Sequence, residues 1–599
     1  MVERFLEKWG IAVLLLITGL AYLPLMNAGY VWDDSALVAD NRLTGDLVGN
    51  FWEILTADLW HTLRLGSADS GYYRPLMLLS LALDRSLFGL DPAAHHMHSV
   101  LWHLACVLAL WGLLRKLVPA IPALIGAAIF ALHPVQIEAV ALIAARNDAM
   151  AAAFCMGALL LLADEQARPW RLGLAALLTF LGLMSKESAL LAPVLLGCLD
   201  LARYGRPRNW KRYVALGVGV VGFLAARHYA NVGSAAMPEW SSWGLVGERL
   251  HVVLGTYGTL LIWPWPLTPA RHVLWQHEPV WPFLLGGVVA ASLLVWALWK
   301  GRERRLGLAG LAWAVAAWAP TLMATVDKGL LGERYLYFPL AGVALLVAGT
   351  LPLVPRLVHG LVAFCAVSIV AIELRLPDWK DSRTLWTEAH EAFPTAYTAG
   401  GLAFYVYQDG DFQEAKPLFV EAVEGDPPYR DACTHLVMVG MALDDPEEAV
   451  RLGSWGLRER GCPPIPETMT HLGLALASLG RWDEAVAIQQ RAERDPFGHA
   501  LLVLAAQSVR IGDFDTYKKL RVDWRGAVGL DDQVERILRL SGDKRSHAIF
   551  QAWREGRLVI VTDPSQLPPG VTLTNPDQPT VGQPGGQDPL EDGQPADDR

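Results

Sequence analysis

Until about residue 376 the chain is a series of apolar runs separated by short polar stretches, and after that point it reads as a soluble, acidic sequence. A helix of about 20 apolar residues crosses the hydrocarbon core of a bilayer, where no water can satisfy a broken backbone hydrogen bond. The pattern therefore predicts a polytopic helical bundle of about eleven spans. These spans lie roughly at residues 10–28, 97–114, 120–133, 148–163, 171–184, 188–202, 213–228, 282–299, 307–324, 335–352 and 357–375.

Two further apolar stretches, near 75–90 and 250–266, carry charge or several Trp and Pro residues. We predict that both are interfacial or re-entrant helices. If the second stretch crosses the bilayer instead, the part of the chain that follows it changes side.

Basic residues between the spans predict the orientation. Arg115-Lys116, Arg203 through Arg212 and Lys300 through Arg305 lie at alternate turns. Because basic loops stay in the cytoplasm, these turns and the N-terminus are predicted to be cytoplasmic. The loop 29–96 and the C-terminal domain then lie on the extracytoplasmic side. The first helix lacks a convincing cleavage site and is predicted to be a retained anchor.

The soluble part contains a repeat. Glu414-Ala415, Glu448-Ala449 and Glu484-Ala485 recur at intervals of 34 and 36 residues, which is the spacing of tetratricopeptide helix pairs. A weaker fourth repeat follows from His499. In the second repeat, Gly453 and Gly456 stand where larger or more tightly packing residues are expected.

The predicted fold class is therefore all-α, in three parts. A transmembrane bundle covers residues 1–376, and an α-solenoid of tetratricopeptide repeats covers 377–563. The segment 564–599 is rich in Pro, Gly, Gln and Asp and is predicted to be disordered. We expect the repeats to bind a protein or peptide.

The charge and the cysteine content bear on the partners and the compartment of the protein. The net charge of −10 arises largely in the soluble part and argues against nucleic acid as a partner. Cys433 and Cys462 could form a bridge in an oxidising compartment, but two cysteines do not make a framework, and we expect them to stay unpaired. The Ala, Leu and Arg usage of the spans and the acidic tail favour a bacterial cytoplasmic membrane over an endoplasmic reticulum.

An acidic pair, Asp33-Asp34, follows the first span directly. Two carboxylates at a bilayer surface are costly and repel each other, so they are expected to serve a purpose. They indicate a reaction at the membrane face on a substrate that arrives through the lipid. The alternative is a solvated loop end that carries two acids by chance.

A set of motifs occurs in a fixed order ahead of the repeats. They are Val31-Trp-Asp-Asp34, Tyr73-Arg-Pro-Leu76, His96 with His103, His133-Pro-Val-Gln-Ile-Glu-Ala-Val140, Ala145-Arg-Asn-Asp148, Ser185-Lys-Glu-Ser188 and Gly332-Glu-Arg-Tyr-Leu-Tyr337. Together with the repeats, this set resembles the transmembrane-and-TPR protein O-mannosyltransferases and their bacterial relatives, which have the GT-C fold. The resemblance covers roughly residues 10–500, and it departs at Ser99, where relatives carry Asn.

The resemblance implies a polyprenyl-phosphate sugar donor, transfer with inversion, and a protein hydroxyl as acceptor. It does not fix the sugar or the acceptor protein, and we expect mannose or a similar hexose. By position in that family, the catalytic base is Asp33 or Asp34, and the sequence does not separate them. The base would take the acceptor proton, and the other acid would orient it, hold the acceptor or bind a divalent cation.

The leaving phosphate needs cations that are already in place. Lys186 and Arg334 are candidates because both lie at predicted outer helix ends, where a lipid headgroup would sit. Arg146, which follows an apolar segment of an outer loop, is the third. The alternative for each is a cation that only anchors its helix at the interface, and for Lys186 the neighbouring Glu187 is a possible structural partner.

The remaining candidates are assigned to substrate binding: Tyr73, Arg74, His96, His133 and Glu138. Glu138 and His133 could also complete a site for Mg²⁺ or Mn²⁺ with the acidic pair, because two carboxylates alone are too few ligands. No cofactor is otherwise indicated. For His96 and His133, the alternative is a hydrogen-bonded packing role near the interface.

Two other functions are consistent with the sequence. The same donor could give its sugar to a lipid or a cell-surface glycan, or the protein could be a membrane scaffold whose repeats dock envelope proteins. A transporter would carry ionisable groups near the bilayer midplane and duplicated halves. Here the notable charges cluster at one face and no second half matches, which favours an enzyme.

Overall fold

The computed structural model divides the chain into two compact units, Met1–Thr398 and Ala399–Arg599. The residues that it describes are 2–60, 70–233, 242–262, 264, 266–268, 271–272, single positions between 287 and 299, 301–328, 330–351, 357–425, 428–491, 500–511, 513–523, 529–555, 559–560 and 581–582.

The first unit is helical. Its helices are α1 (Val2–Ala21), α2 (Phe51–Thr56), α3 (Pro75–Phe88), α4 (Pro92–Arg115), α5 (Ala120–Leu132), α6 (Ile137–Ala141), α7 (Arg146–Leu162), α8 (Pro169–Ser185), α9 (Ala192–Tyr204), α10 (Trp210–Tyr229), α11 (Ser242–Ile262), α12 (Arg304–Lys328), α13 (Tyr337–Thr350), α14 (Leu357–Arg375) and α15 (Ser382–Ala392). Two short antiparallel strands, β1 (Arg271–His272) and β2 (Leu330–Leu331), pair Arg271 with Leu331.

Each predicted span except 282–299 overlaps one of these helices, and 282–299 lies largely outside the described residues. By length and composition, four described segments could cross a membrane: Arg4–Asn27, Pro92–Arg115, Ile143–Leu162 and Val358–Trp379. The bent pair α5 and α6 makes a fifth if it is one span. The chain is thus an integral membrane protein by its apolar helices, and the number of about eleven spans stays a prediction. The stretches near 75–90 and 250–266 are helical, as α3 and the end of α11.

The segment between α5 and α7 is broken twice. After α5 the axis turns by 49° into α6 at Pro134, which has no N–H to donate. After α6 the chain leaves the helix again at Leu142 and makes a 3-10 turn, Ile143–Ala145, before α7 begins. The whole segment is buried, which is the condition under which irregular backbone is tolerated at membrane depth. The second break releases backbone N–H groups that the site uses.

Helices α12 and α13 approach each other closely through two glycines. A Cβ atom on Gly342 would lie 2.5 Å from the backbone nitrogen of Ala314, and one on Gly310 would lie 2.5 Å from the carbonyl oxygen of Gly342. Neither position therefore has room for a side chain. This contact fixes the start of α13, and the segment immediately before α13 carries Arg334.

The second unit is the repeat array. Its helices are α16 (Ala396–Gln408), which begins in the first unit, α17 (Phe412–Glu424), α18 (Ala432–Ala442), α19 (Pro446–Glu459), α20 (Pro466–Ser478), α21 (Trp482–Arg491), α22 (Ala500–Ile511), α23 (Phe514–Asp523), α24 (Leu530–Leu540) and α25 (Lys544–Arg554). The three repeat alanines, Ala415, Ala449 and Ala485, are fully buried near the start of α17, α19 and α21.

Four helix pairs agree with the sequence prediction, including the weaker fourth unit, α22 and α23; its predicted start, His499, lies outside the described residues. Sequence analysis missed a fifth pair, α24 and α25, which turns at Gly542. Most of the predicted tail 564–599 also lies outside the described residues. Val581–Gly582 pairs antiparallel with Val559–Ile560 as β4 and β3.

The expectation for the two soluble cysteines was wrong: Cys433 and Cys462 form a disulfide, with their Cα atoms 6.4 Å apart. Gly456 explains how the bond is accommodated, since a Cβ atom there would clash with the sulfur of Cys433. Gly453 makes room in the same way for Val437, where a Cβ atom would come within 2.5 Å of the valine side chain. The two glycines that seemed out of place in the second repeat are therefore packing positions.

Candidate active site

The two adjacent carboxylates occupy different environments. Asp34 is fully buried: its Oδ1 accepts the N–H of Ala144 at 2.6 Å, and its Oδ2 accepts the N–H of Val31 at 3.2 Å. Asp33 is partly exposed, and within the described residues its carboxylate has no hydrogen bond or ion pair. Asp34 is thus held by the backbone, whereas Asp33 is free to accept a proton.

Burial raises the pKa of both carboxyl groups. It raises the pKa of Asp34 to about 7, although three backbone N–H groups favour the ionised form. It also raises the pKa of Asp33, against the opposing effect of the positive charge on Arg334. A carboxylate with a raised pKa is a stronger base, which suits proton abstraction from a hydroxyl.

Arg334 is fixed by Glu138. The backbone N–H of Arg334 donates to Glu138 Oε2 at 2.9 Å, and the guanidinium forms an ion pair with Oε1 of the same carboxylate. The guanidinium also lies over the rings of Trp32, at 5.0 Å, and Tyr335, at 5.2 Å. Glu138 is fully buried on α6, while the side chain of Arg334 remains 16% exposed. The sharp bend after α5 is what brings Glu138 to this position.

Two further ion pairs lie in the same region. Lys186 Nζ is 2.6 Å from Asp148 Oδ1, and Arg74 Nη2 is 2.9 Å from Glu187 Oε2. The partner of Lys186 is therefore Asp148, and the possible pairing with Glu187 is wrong. Burial lowers the pKa of Lys186, and the charges on Arg74 and Arg334 lower it further, so the three cations act on one another.

The side chains of these cations are more exposed to solvent than that of Arg146. The side chains of Arg74, Lys186 and Arg334 are 13%, 15% and 16% exposed, whereas Arg146 is completely buried. A ligand that enters the site can reach the first three. Arg74, which the sequence assigned to substrate binding in general, therefore joins the two candidates for the phosphate.

Arg146 holds a closed network. Its guanidinium donates to Asp84 Oδ2 at 2.6 Å, to Ser80 Oγ at 3.0 Å, to Ser99 Oγ at 3.1 Å and to the carbonyl of His95 at 2.7 Å. Ser99, the departure from the resembled family, thus accepts a hydrogen bond from Arg146. The contacts of Arg146 tie α3, α4 and α7 together and leave it inaccessible to a donor phosphate.

The other predicted substrate-binding residues are bound to backbone carbonyls. Tyr73 donates its hydroxyl to Leu55 at 2.8 Å, while His96 Nε2 lies 3.1 Å from the oxygen of Gly29 and His133 Nε2 lies 3.2 Å from that of Leu261. The His96 contact fixes the chain four residues before Asp33. These bonds give all three side chains a role in shaping the site.

The side chains proposed for a divalent cation do not fit one. Glu138 is bonded to Arg334, and His133 to a backbone carbonyl. Within the described ranges, no group of three or more His, Cys, Asp and Glu side chains is arranged to hold a metal ion. Mg²⁺ and Mn²⁺ need several oxygen ligands, and the described residues do not supply such a set at this site.

Sequence reasoning missed which acidic side chains form ion pairs with Lys186 and Arg74. Asp148 and Glu187 stand in quoted motifs but received no role as the partners of Lys186 and Arg74. The position of Asp148 in the first turn of α7 was the available signal, since an acid is favoured at a helix N-terminus. No sequence signal identified Trp32 as the ring beneath Arg334.

Two family models match the chain. A model for dolichyl-phosphate-mannose-protein mannosyltransferases matches residues 74–228, and a tetratricopeptide-repeat model matches residues 467–492. The first match contains Arg74, Arg146, Asp148, Lys186 and Glu187, and it ends before Arg334.

Curated relatives agree with the family models. The protein O-mannosyl-transferase Tmtc1 of Drosophila melanogaster is 32% identical over 196 residues, which are 32% of this chain and 22% of the fly protein. TMTC2 of Homo sapiens is 35% identical over 147 residues, 24% of this chain and 17% of the human protein. The protein O-mannosyl-transferase F38B6.6 of Caenorhabditis elegans is 23% identical over 455 residues, 70% of this chain and 64% of the worm protein. The chain thus spans less than a quarter of the fly and human relatives, and no solved structure matches it at a significant level.

Proposed function

We propose that this chain, a relative of the transmembrane-and-TPR protein O-mannosyltransferases, moves mannose or a similar hexose from a polyprenyl-phosphate donor to a protein Ser or Thr hydroxyl, with inversion, on the extracytoplasmic face of its membrane. The observation that carries the proposal is the carboxylate of Asp33, which has no hydrogen bond or ion pair among the described residues and interacts electrostatically with Arg334. Arg334 is one of three partly exposed cations. A base next to an anion site is what this reaction requires.

Asp33 is the proposed base. It takes the proton of the acceptor hydroxyl as the hydroxyl oxygen attacks C1 of the sugar. The bond between C1 and the phosphate oxygen breaks, and its electron pair stays on the phosphate. Attack opposite the leaving group inverts the configuration at C1. Asp34, buried and bonded to Ala144 and Val31, holds the loop that carries Asp33.

Arg334, Lys186 and Arg74 are the proposed phosphate ligands. Each is already held by a carboxylate, respectively Glu138, Asp148 and Glu187. Positive groups that are fixed before the reaction stabilise developing negative charge without having to reorganise. The guanidinium groups supply paired N–H donors, and Lys186 supplies a point charge.

The disulfide supports the proposed orientation. Disulfides persist in oxidising compartments, whereas the cytosol keeps thiols reduced. Cys433–Cys462 therefore favours an extracytoplasmic repeat array, on the side where the sequence predicts the loop with Asp33. The repeats are proposed to bind the acceptor protein, and the span composition still favours a bacterial cytoplasmic membrane.

A transfer assay tests the proposal. The purified full chain is incubated with radiolabelled polyprenyl-phosphate mannose and a mixture of Ser- and Thr-containing peptides. Asp33→Asn should lower transfer by about 10²- to 10⁴-fold, the usual contribution of a general base, while donor binding persists. EDTA should leave the rate unchanged, because the described residues offer no metal site.

Asp40→Asn is the matched control, because Asp40 is an exposed acid in the same loop. It should transfer label like the wild type. Transfer by Asp33→Asn at the wild-type rate would remove Asp33 as the base, and a wild type that binds no donor would overturn the proposed function.

A further inference from the structure

Trp32, the residue before Asp33, has a backbone conformation that large side chains rarely adopt. Its φ is 52°, in the left-handed region. In a residue other than Gly, Asn or Asp, this conformation persists only where the surroundings hold it, and such outliers cluster at functional sites. The contacts of Trp32 therefore matter for the geometry of the base.

Besides the guanidinium of Arg334 over its ring, Trp32 has two contacts from the C-terminal end of the first unit. Its backbone N–H donates to Ser382 Oγ at 3.0 Å, across 350 residues of sequence. Its indole packs edge-on against that of Trp386, with the ring centroids 5.5 Å apart. Ser382 and Trp386 are both buried, and both belong to α15.

The loop around Asp33 is fixed on each side but not at Asp33. The N–H of Gly29 donates to the carbonyl of Lys380 at 2.8 Å, just before α15 begins. On the other side, Asp34 is bonded to Ala144. Since Asp33 has no bond of its own among the described residues, its direction is set by its two neighbours.

Helix α15 leads directly into the repeat array. After it the chain makes a short turn, and α16 begins at Ala396. Thr398, in the first turn of α16, donates its hydroxyl to the carbonyl of Phe393 at 2.7 Å. The ring of Trp386 lies 5.7 Å from that of Tyr397 in α16. Trp386 thus contacts both Trp32 and Tyr397, and all three residues belong to the first unit.

We propose that Ser382 and Trp386 are positioning residues for the base: they hold Trp32 in its left-handed conformation and so direct the carboxylate of Asp33. This inference rests on the proposed function. Along the sequence, their helix precedes the array that is proposed to bind the acceptor protein.

Substitutions at Ser382 test the proposal in the full chain. Ser382→Ala removes the hydrogen bond to Trp32, and kcat should fall about ten- to a hundredfold at an unchanged KM for the donor, as expected when a catalytic group is displaced. Ser382→Thr keeps a hydroxyl and should restore most of the rate. Thr387→Ala is the control, because Thr387 lies on α15 and its hydroxyl donates to the carbonyl of Arg383 in the same helix, with no bond to residues 29–34 in the described part of the chain.

Hydrogen exchange gives a readout that does not depend on turnover. The backbone amides of residues 29–34 should exchange faster in Ser382→Ala than in the wild type or in Thr387→Ala. Unchanged exchange, or an equal effect of Thr387→Ala, would overturn the positioning role. A wild type that transfers no label would overturn the proposed function alone, since the exchange result still decides whether Ser382 fixes the loop.

Discussion

Asp33 and Asp34 differ because of a residue 110 positions later in the chain. The N–H of Ala144 is available to Asp34 only because the chain leaves the helix between α6 and α7. Neither composition nor spacing contains that break, so the sequence left the base undecided between two adjacent acids. The environments of the two side chains favour Asp33.

The rate of transfer should fall on both sides of an optimum pH. Asp33 must be ionised to accept a proton, and since burial raises its pKa, the acidic limb should lie above 3.8, the ordinary value. Lys186 must be protonated to stabilise the phosphate, and since burial lowers its pKa, the alkaline limb should lie below 10.5. A profile of log kcat against pH measures both limbs.

Two variants assign the limbs. Lys186→Arg should move the alkaline limb upward, because a guanidinium stays charged throughout the range. Asp40→Asn should leave the acidic limb in place. If the alkaline limb stays in place in Lys186→Arg, deprotonation of Lys186 is not the cause of that limb.

Pairs of helices were predicted less well than single helices. The apolar runs predicted where α4, α7 and α13 lie, because length and hydropathy are properties of one segment. They did not predict that α12 and α13 touch through Gly310 and Gly342, because such close approach depends on two distant segments together.

Gly342→Val tests this contact. The added side chain meets backbone atoms of α12 and not a flexible side chain, so the helices must separate. Overpacking of this kind typically costs about 1–3 kcal/mol. The midpoint of thermal unfolding in detergent should fall, and transfer should fall with it, because Arg334 precedes α13.

Gly217→Val is the matched control, since a Cβ atom at Gly217 in α10 would meet nothing within 4 Å. Its unfolding midpoint should stay near that of the wild type. Equal losses in the two variants would mean that the α12–α13 contact is not what the substitution at Gly342 disturbs.

For the whole molecule, features that repeat along the sequence were easier to predict than contacts between distant segments. The repeat period located the buried alanines Ala415, Ala449 and Ala485, because it is written in the sequence itself. The fifth helix pair lacks that signature and was missed. The partners of Lys186 and Arg74 were missed for a different reason: an ion pair across helices leaves no periodic trace. The disulfide was missed because two cysteines are too few to form a pattern.

The disulfide gives a test of the compartment. The chain has six cysteines, and the four outside the Cys433–Cys462 bond are free. Protein extracted from membranes under alkylating conditions and then denatured should take up four maleimide groups without reductant and six after reduction. Six adducts without reduction would place the repeat array in a reducing compartment and contradict the proposed orientation.

The bond between Trp32 and Ser382 also bears on how the protein is made. The two residues are 350 positions apart, so the loop that carries Asp33 is synthesised long before its partner helix. Until α15 has been synthesised, Trp32 lacks the hydrogen bond to Ser382 and the ring contact with Trp386. If Asp33 is the base that we propose, a nascent chain is expected to be inactive until α15 has been synthesised, and this late segment would act as a built-in delay.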